Sequence, residues 1–131
     1  MRIFFLFTTF ILAGCGAQIE PEFLEYASLF EAEAASRKVQ VGMVSIRFGE
    51  IGPAGARCNY NPLGREILVN RAAWEKADHP SRESILMHEF GHCLLDREHA
   101  EPTAKSIMRP TAPVGWEYNM RRSEFLDELF I

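Results

Sequence analysis

The segment 81–95 restricts the fold of this chain more than any other, because it reads as one helix with two distinct faces. At about 100° per residue, its apolar residues gather on a single side: Leu86, Phe90, Cys93 and Leu94. His88 and His92 lie one turn apart on the opposite side, about 40° from each other. The sequence therefore predicts a helix that packs on a core through one face and directs two imidazoles out of that core.

The rest of the pattern predicts an α+β single domain in which a small mixed β-sheet packs against this helix. Alternating β-branched residues indicate strands, and helical spacing of apolar residues indicates helices. The predicted order is helix 20–37, strand 39–48, strands 57–60 and 66–70 joined by a hairpin turn at 61–64, helical turn 71–76, helix 81–95, irregular segment 96–115 and helix 119–130.

The amino terminus differs in kind from the rest of the chain. Arg2 precedes an uncharged apolar run over 3–13, which has the length of a signal-peptide core and is too short to span a bilayer. The run ends in Leu12-Ala13-Gly14-Cys15, which resembles the lipobox of bacterial lipoproteins. The alternative is an ordinary signal peptide followed by an incidental cysteine.

The lipobox resemblance implies that residues 1–14 are a cleaved signal, that 15–18 are a lipidated tether, and that 19–131 form the domain. Lipidated Cys15 would hold the protein on a membrane of the bacterial cell envelope through its acyl chains. Gly16 stands where an aspartate retains many such proteins on the inner membrane, so the resemblance favours the outer membrane.

Charge and cysteine usage add two expectations. The net charge of −4 argues against a nucleic-acid partner, which requires a basic surface. Beyond the inner membrane the environment is oxidising, so a disulfide between Cys58 and Cys93 is allowed. The alternative is two buried thiols that act as small hydrophobic residues.

The helix 81–95 also carries the residues of a metal site. His88 and His92 are spaced so that both nitrogens can reach one zinc ion, with Glu89 beside them as a general base for a metal-activated water. His99 follows just beyond the helix and is placed to be the third ligand. The alternative is a helix that carries two surface histidines by chance.

These residues resemble the metzincin class of zinc peptidases, whose pattern is H-E-x-x-H-x-x-G-x-x-H followed by a turn that contains methionine. His88, Glu89 and His92 match, and Ser106-Ile107-Met108 looks like the methionine turn, over about residues 57–110. The resemblance implies that Met108 is an apolar floor beneath the metal and that an edge strand pairs with an extended peptide.

The sequence departs from that pattern after His92. Leu95 stands at the glycine position, Glu98 stands at the third histidine, and His99 comes one residue late. Asp96 could adopt the left-handed conformation in place of glycine and absorb the extra residue. His99 is therefore the expected ligand, and Glu98 is the competing one.

The predicted function is a zinc-dependent endopeptidase that acts on peptide or protein substrates. Glu89 is the predicted general base, His88, His92 and His99 are the predicted ligands, and Tyr60 and Arg109 are candidates for polarising the substrate carbonyl. The alternative is a non-catalytic zinc-binding envelope lipoprotein whose site is closed by a fourth ligand. No oligomeric state follows from the sequence.

Overall fold

The computed structural model describes residues 16–131, so the predicted signal 1–14 and the predicted lipidation site Cys15 lie outside the described residues. A 3₁₀ turn, Pro21–Phe23, leads directly into the first α-helix. The other elements are α1 Leu24–Ser36, β1 Ser45–Phe48, β2 Ala56–Asn61, β3 Gly64–Val69, α2 Arg71–Lys76, α3 His79–Leu95, α4 Gly115–Met120 and α5 Arg122–Leu129. Within residues 16–131, no helix has the length and apolar character needed to cross a bilayer.

The sheet is mixed and has three strands in the order β1-β3-β2. β1 runs parallel to β3 with Ile46 opposite Ile67, and β2 runs antiparallel to β3 with Cys58 opposite Ile67. The hairpin closes where Asn61 faces Gly64, at the predicted turn. The structure thus has the predicted α+β class and the predicted small mixed sheet.

The core lies between the sheet and the helices α1, α3 and α5. Phe30 of α1 stacks on Phe90 of α3 with ring centroids 4.6 Å apart. The predicted apolar face of α3 is buried here, because Leu86, Phe90 and Cys93 are each at most 2% exposed. This packing holds the opposite face of α3 toward the segment that follows the helix.

Most predicted elements agree with the structure to within two residues at each end, and two differ by more. The predicted strand 39–48 is reduced to Ser45–Phe48, because β3 pairs with it only from Glu66 onward and Lys38 turns the chain with a φ of 58°. The predicted helix 119–130 is two helices that meet at Arg121, whose φ of −123° and ψ of 25° interrupt the spiral. The break separates α4, which buries Tyr118, from α5, which buries Phe125, Leu126 and Leu129.

Candidate metal centre

The helix α3 begins and ends in ways that place its histidines. Asp78 accepts a hydrogen bond of 2.9 Å from the backbone N–H of Ser81 and so caps the amino end. At the carboxyl end Asp96 is left-handed, with a φ of 53°, and Arg97 N–H donates to Gly91 O at 2.9 Å. Asp96 therefore takes the sharp turn that glycine would otherwise make, and the chain folds back over the helix.

Three imidazoles meet where the chain folds back. Ring centroids of His88 and His92 are 4.7 Å apart, and His99 lies 4.8 Å from His92 and 5.3 Å from His88. Their ligand atoms all lie within 4.8 Å of one another, which is close enough to bind one metal ion. Glu98 is exposed and does not belong to this group. The extra residue before His99 is thus absorbed by the turn at Asp96.

The hydrogen bonds of the two helical histidines define which nitrogen is available. His88 Nδ1 lies 2.7 Å from Ile107 O, and His92 Nδ1 lies 2.7 Å from Arg97 O. A carbonyl only accepts, so each Nδ1 carries the hydrogen and each Nε2 keeps its lone pair. The two Nε2 atoms lie 3.1 Å apart. Metal-binding histidines show this arrangement, in which a carbonyl orients the ring, so these residues fit a metal ion.

Burial keeps the same imidazoles neutral. The sequence predicted that both point out of the core, yet His88 is only 5% exposed, because Ile107 and its neighbours fold across it. Burial, with smaller contributions from the nearby His92 and His99, lowers the pKa of His88 to about 4, although the hydrogen bond to Ile107 O acts in the opposite direction. Burial also lowers the pKa of His92. Neutral imidazoles are the form that binds a metal ion.

Glu89 lies beside the histidine group and is not part of it. Its Oε2 accepts a hydrogen bond of 2.7 Å from the backbone N–H of Cys58 on β2. Burial raises the pKa of Glu89 to about 7, although the Cys58 N–H and the charge of Arg57 act in the opposite direction. A carboxylate with a pKa near 7 is suited to exchange protons at neutral pH.

Met108 fills the space beneath α3. Its side chain is fully buried and contacts the helix at Gly91, where any Cβ would overlap Met108 Sδ. A Cβ there would also lie 3.0 Å from Leu129 Cδ1. Sequence reasoning did not single out Gly91, although an isolated glycine inside a helical pattern often marks a close approach.

The β2–β3 hairpin is fastened to the end of α3. Of the two alternatives for the cysteines, the structure has the disulfide between Cys58 and Cys93, with Cα atoms 5.6 Å apart. Tyr60 Oη donates to His92 O at 3.1 Å, and Arg65 donates to Cys93 O at 2.8 Å. These contacts hold the strand that carries the Cys58 N–H against the helix that carries Glu89.

The two candidates for polarising a substrate carbonyl are both engaged elsewhere. The Tyr60 hydroxyl is used on the His92 carbonyl, and Arg109 forms an ion pair of 2.9 Å with Glu117. Both side chains are therefore hydrogen-bonded to groups other than the three imidazoles.

A cleft of about 450 Å³ opens beside His88 and Glu89. Its walls are mainly apolar and come from the loop before β2 and from the segment that leads into α4. The lining includes Pro53, Ala56, Ile85, Pro113 and Val114. The cleft gives an apolar group direct access to the buried carboxylate.

We expect the raised pKa of Glu89 to appear as a pH-dependent loss of stability in the metal-free protein. The folded-state pKa of about 7 exceeds the ordinary value of about 4.3. The contribution of protonated Glu89 to the free energy of unfolding is therefore complete below pH 4.3 and is lost as the pH rises through 7. Relative to Glu89→Gln, the wild type should lose about 2–3 kcal/mol between pH 5 and pH 8.

Chemical denaturation of both metal-free proteins at the two pH values measures that difference. The amide of Glu89→Gln can still accept the Cys58 N–H, and the comparison cancels the opposite effect of His88, which destabilises the fold as the pH falls from 6.5 toward 4. Glu98→Gln removes one exposed carboxylate and is the control. A constant difference between wild type and Glu89→Gln would show that burial does not hold the proton on Glu89.

Three imidazoles thus lie close enough together to bind one metal ion, the buried carboxylate of Glu89 lies beside them, and a mainly apolar cleft opens beside His88 and Glu89. The three imidazoles and Glu89 come from α3 and from the segment between α3 and α4, β2 supplies the Cys58 N–H, and the loop before β2 forms one wall of the cleft. No protein-family model, curated protein or solved structure matches the chain.

Proposed function

We propose that this protein is a metzincin-like, zinc-dependent endopeptidase in which Glu89 is the general base. One observation carries the proposal. The ligand nitrogens of three imidazoles lie within 4.8 Å of one another, and a buried carboxylate with a raised pKa lies beside them outside the ligand group. A metal site that only stabilises the fold has no use for such a carboxylate. A hydrolytic site can use it as the general base that takes up and returns a proton.

The ligand set supports zinc as the metal. His88, His92 and His99 would hold the ion through three nitrogens, which is the number of protein ligands in catalytic zinc sites. When bound, zinc supplies Lewis acidity, which lowers the pKa of a water molecule and polarises a carbonyl.

Glu89 moves the proton. Its Oε2 is held by the Cys58 N–H, which leaves Oε1 to take the proton from the attacking water. Burial raises the pKa of Glu89 in the metal-free protein, and the protonated carboxyl group can then return the proton to the leaving amine. The apolar cleft between Ala56 and Val114 would receive one side chain of the peptide next to the scissile bond.

The alternative is a non-catalytic zinc-binding lipoprotein whose metal is enclosed by four protein ligands. Among residues 16–131 the group of metal-ligating side chains at this site has three members. A fourth coordination position would therefore remain for water or substrate, which favours catalysis over a closed structural site.

We also propose that Cys15 is lipidated and anchors the domain to the cell envelope, on the outer membrane. Gln18 and Ile19 already pair with β1, since Ile46 N–H donates to Gln18 O at 3.0 Å. At about 3.5 Å per residue, the three steps from Cys15 to Gln18 would keep the sheet within about 10 Å of the anchor. Mass spectrometry of the envelope fraction tests this anchor: an acylated amino terminus at Cys15 is expected in wild type and absent in Cys15→Ser.

The zinc content of the purified protein and its activity on a mixed peptide library test the function together. We expect one zinc per chain, cleavage of internal peptide bonds, loss of cleavage after chelation and recovery after zinc is restored. Bound zinc without cleavage would support the structural alternative. A protein that binds no zinc at all would exclude both zinc-dependent functions.

A further inference from the structure

We propose that Glu128, at the carboxyl end of α5, is the positioning residue that sets the orientation of the His88 and His92 imidazoles. This inference rests on the proposed zinc site, but Glu128 itself lies outside the ligand group. Glu128 lies 31 residues after Arg97 and 22 after Ser106 in the sequence, and its carboxylate binds both.

The first connection runs through Arg97 to His92. The backbone carbonyl of Arg97 accepts the His92 Nδ1 hydrogen at 2.7 Å, so the position of this residue determines how the ring lies. The Arg97 guanidinium donates to Glu128 Oε1 at 2.6 Å. It also donates to the backbone carbonyls of Glu128 and Leu129, each at 2.9 Å. Arg97 is thus held between the last turn of α5 and the ligand histidine.

The second connection runs through Ser106 to His88. The Ser106 hydroxyl donates to Glu128 Oε2 at 2.6 Å and accepts the backbone N–H of Met108 at 2.9 Å. Between these two residues lies Ile107, whose carbonyl accepts the His88 Nδ1 hydrogen at 2.7 Å. Glu128 therefore fixes the turn that presents this carbonyl.

The Glu128 carboxylate thus holds both carbonyl groups that accept from the histidine rings. Oε1 acts through Arg97, and Oε2 acts through Ser106. The two backbone segments that Glu128 connects are also joined to each other, since Ala100 N–H donates to Met108 O at 2.8 Å. A carbonyl that accepts the Nδ1 hydrogen of a ligand histidine sets the tautomer and the direction of Nε2 and raises the basicity of the ring. Loss of a group that orients a ligand in this way costs about 10–100-fold in metal affinity.

Zinc affinity of Glu128→Ala, measured by titration of Zn²⁺ against a competing chelator, tests the role. We expect affinity about 10–100-fold weaker than in wild type. Glu124→Ala is the matched control, because Glu124 is an exposed glutamate on the same helix and its loss removes the same charge. Arg97 keeps its two bonds to backbone carbonyls in Glu128→Ala, so the end of α5 retains an anchor.

A second readout separates positioning from general stabilisation. In the metal-free protein, the Nδ1 protons of His88 and His92 should exchange with solvent faster in Glu128→Ala than in Glu124→Ala, as followed by proton NMR. A merely structural role would lower the melting temperature and leave the imidazole exchange and the zinc affinity of the folded protein unchanged. Unchanged exchange and affinity in Glu128→Ala would overturn the proposal.

Two further outcomes are distinguishable. If Glu128→Ala does not fold, Glu128→Gln decides by the same two measurements, since it keeps the shape but loses the charge that faces Arg97. Wild-type behaviour of that variant would then overturn the role. If the wild type binds no zinc, the proposed function fails, and the imidazole exchange in the metal-free proteins still decides whether Glu128 positions the rings.

Discussion

Replacement of Glu89 by glutamine is expected to remove most peptide hydrolysis while leaving the zinc content unchanged. A positioned general base contributes about 10²–10⁴-fold to rate, and glutamine cannot take up the proton. The zinc content should persist because the three ligand atoms belong to His88, His92 and His99. The amide oxygen of the new side chain can accept the Cys58 N–H that Glu89 Oε2 accepts at 2.7 Å, so the strand and helix should keep their places.

This result is checked by measuring the hydrolysis rate of the library peptide that the wild type cleaves fastest, with metal analysis of the same samples. Glu98→Gln is the control, since it removes an exposed carboxylate from the same region without touching the histidine group. Hydrolysis that survives in Glu89→Gln at the wild-type rate would remove Glu89 from the mechanism. Zinc lost from this variant would instead make Glu89 a ligand and favour the closed structural site.

The second large effect is expected at His99. His99→Ala leaves two imidazoles on the site, and we expect zinc affinity to fall by more than the roughly 100-fold that loss of a ligand-orienting group can cost. Peptidase activity should disappear with the metal. Glu98→Ala should leave both nearly unchanged, because that side chain is exposed and lies outside the ligand group.

Metal analysis and chelator competition on the two purified variants distinguish the ligands. His79→Ala provides a matched control for the loss of one histidine, because His79 Nδ1 contacts the Tyr26 hydroxyl at 3.2 Å, away from the site. Zinc retained by His99→Ala and lost from Glu98→Ala would reverse the assignment.

Local patterns in the sequence were enough to predict much of the fold. The apolar face of α3 and the pair of histidines on its other side follow from a repeat of 3.6 residues per turn, which any helix imposes. The hairpin between β2 and β3 follows from the turn residues around Pro62. The α+β class could therefore be predicted. The bounds of β1 and the break at Arg121 could not, because they depend on which partner each segment packs against.

For the site, helical spacing alone was sufficient to predict that a pair of imidazoles and one carboxylate, Glu89, would share the same stretch of helix. That spacing left open whether Glu98 or His99 joins them, because the answer depends on the backbone angles of a single residue, Asp96, in its left-handed turn. The folded chain was needed to choose between the two.

The electrostatics of the site likewise depend on the folded chain. Burial of His88 beneath Ile107 and of Glu89 beside Cys58 shifts their pKa values, and neither neighbour is near in the sequence. Desolvation depends on every segment that excludes water from a group, so no local pattern encodes it. The hydrogen bond between Ser106 and Glu128, which lie 22 residues apart, likewise could not be predicted from the sequence, because it depends on how distant segments pack.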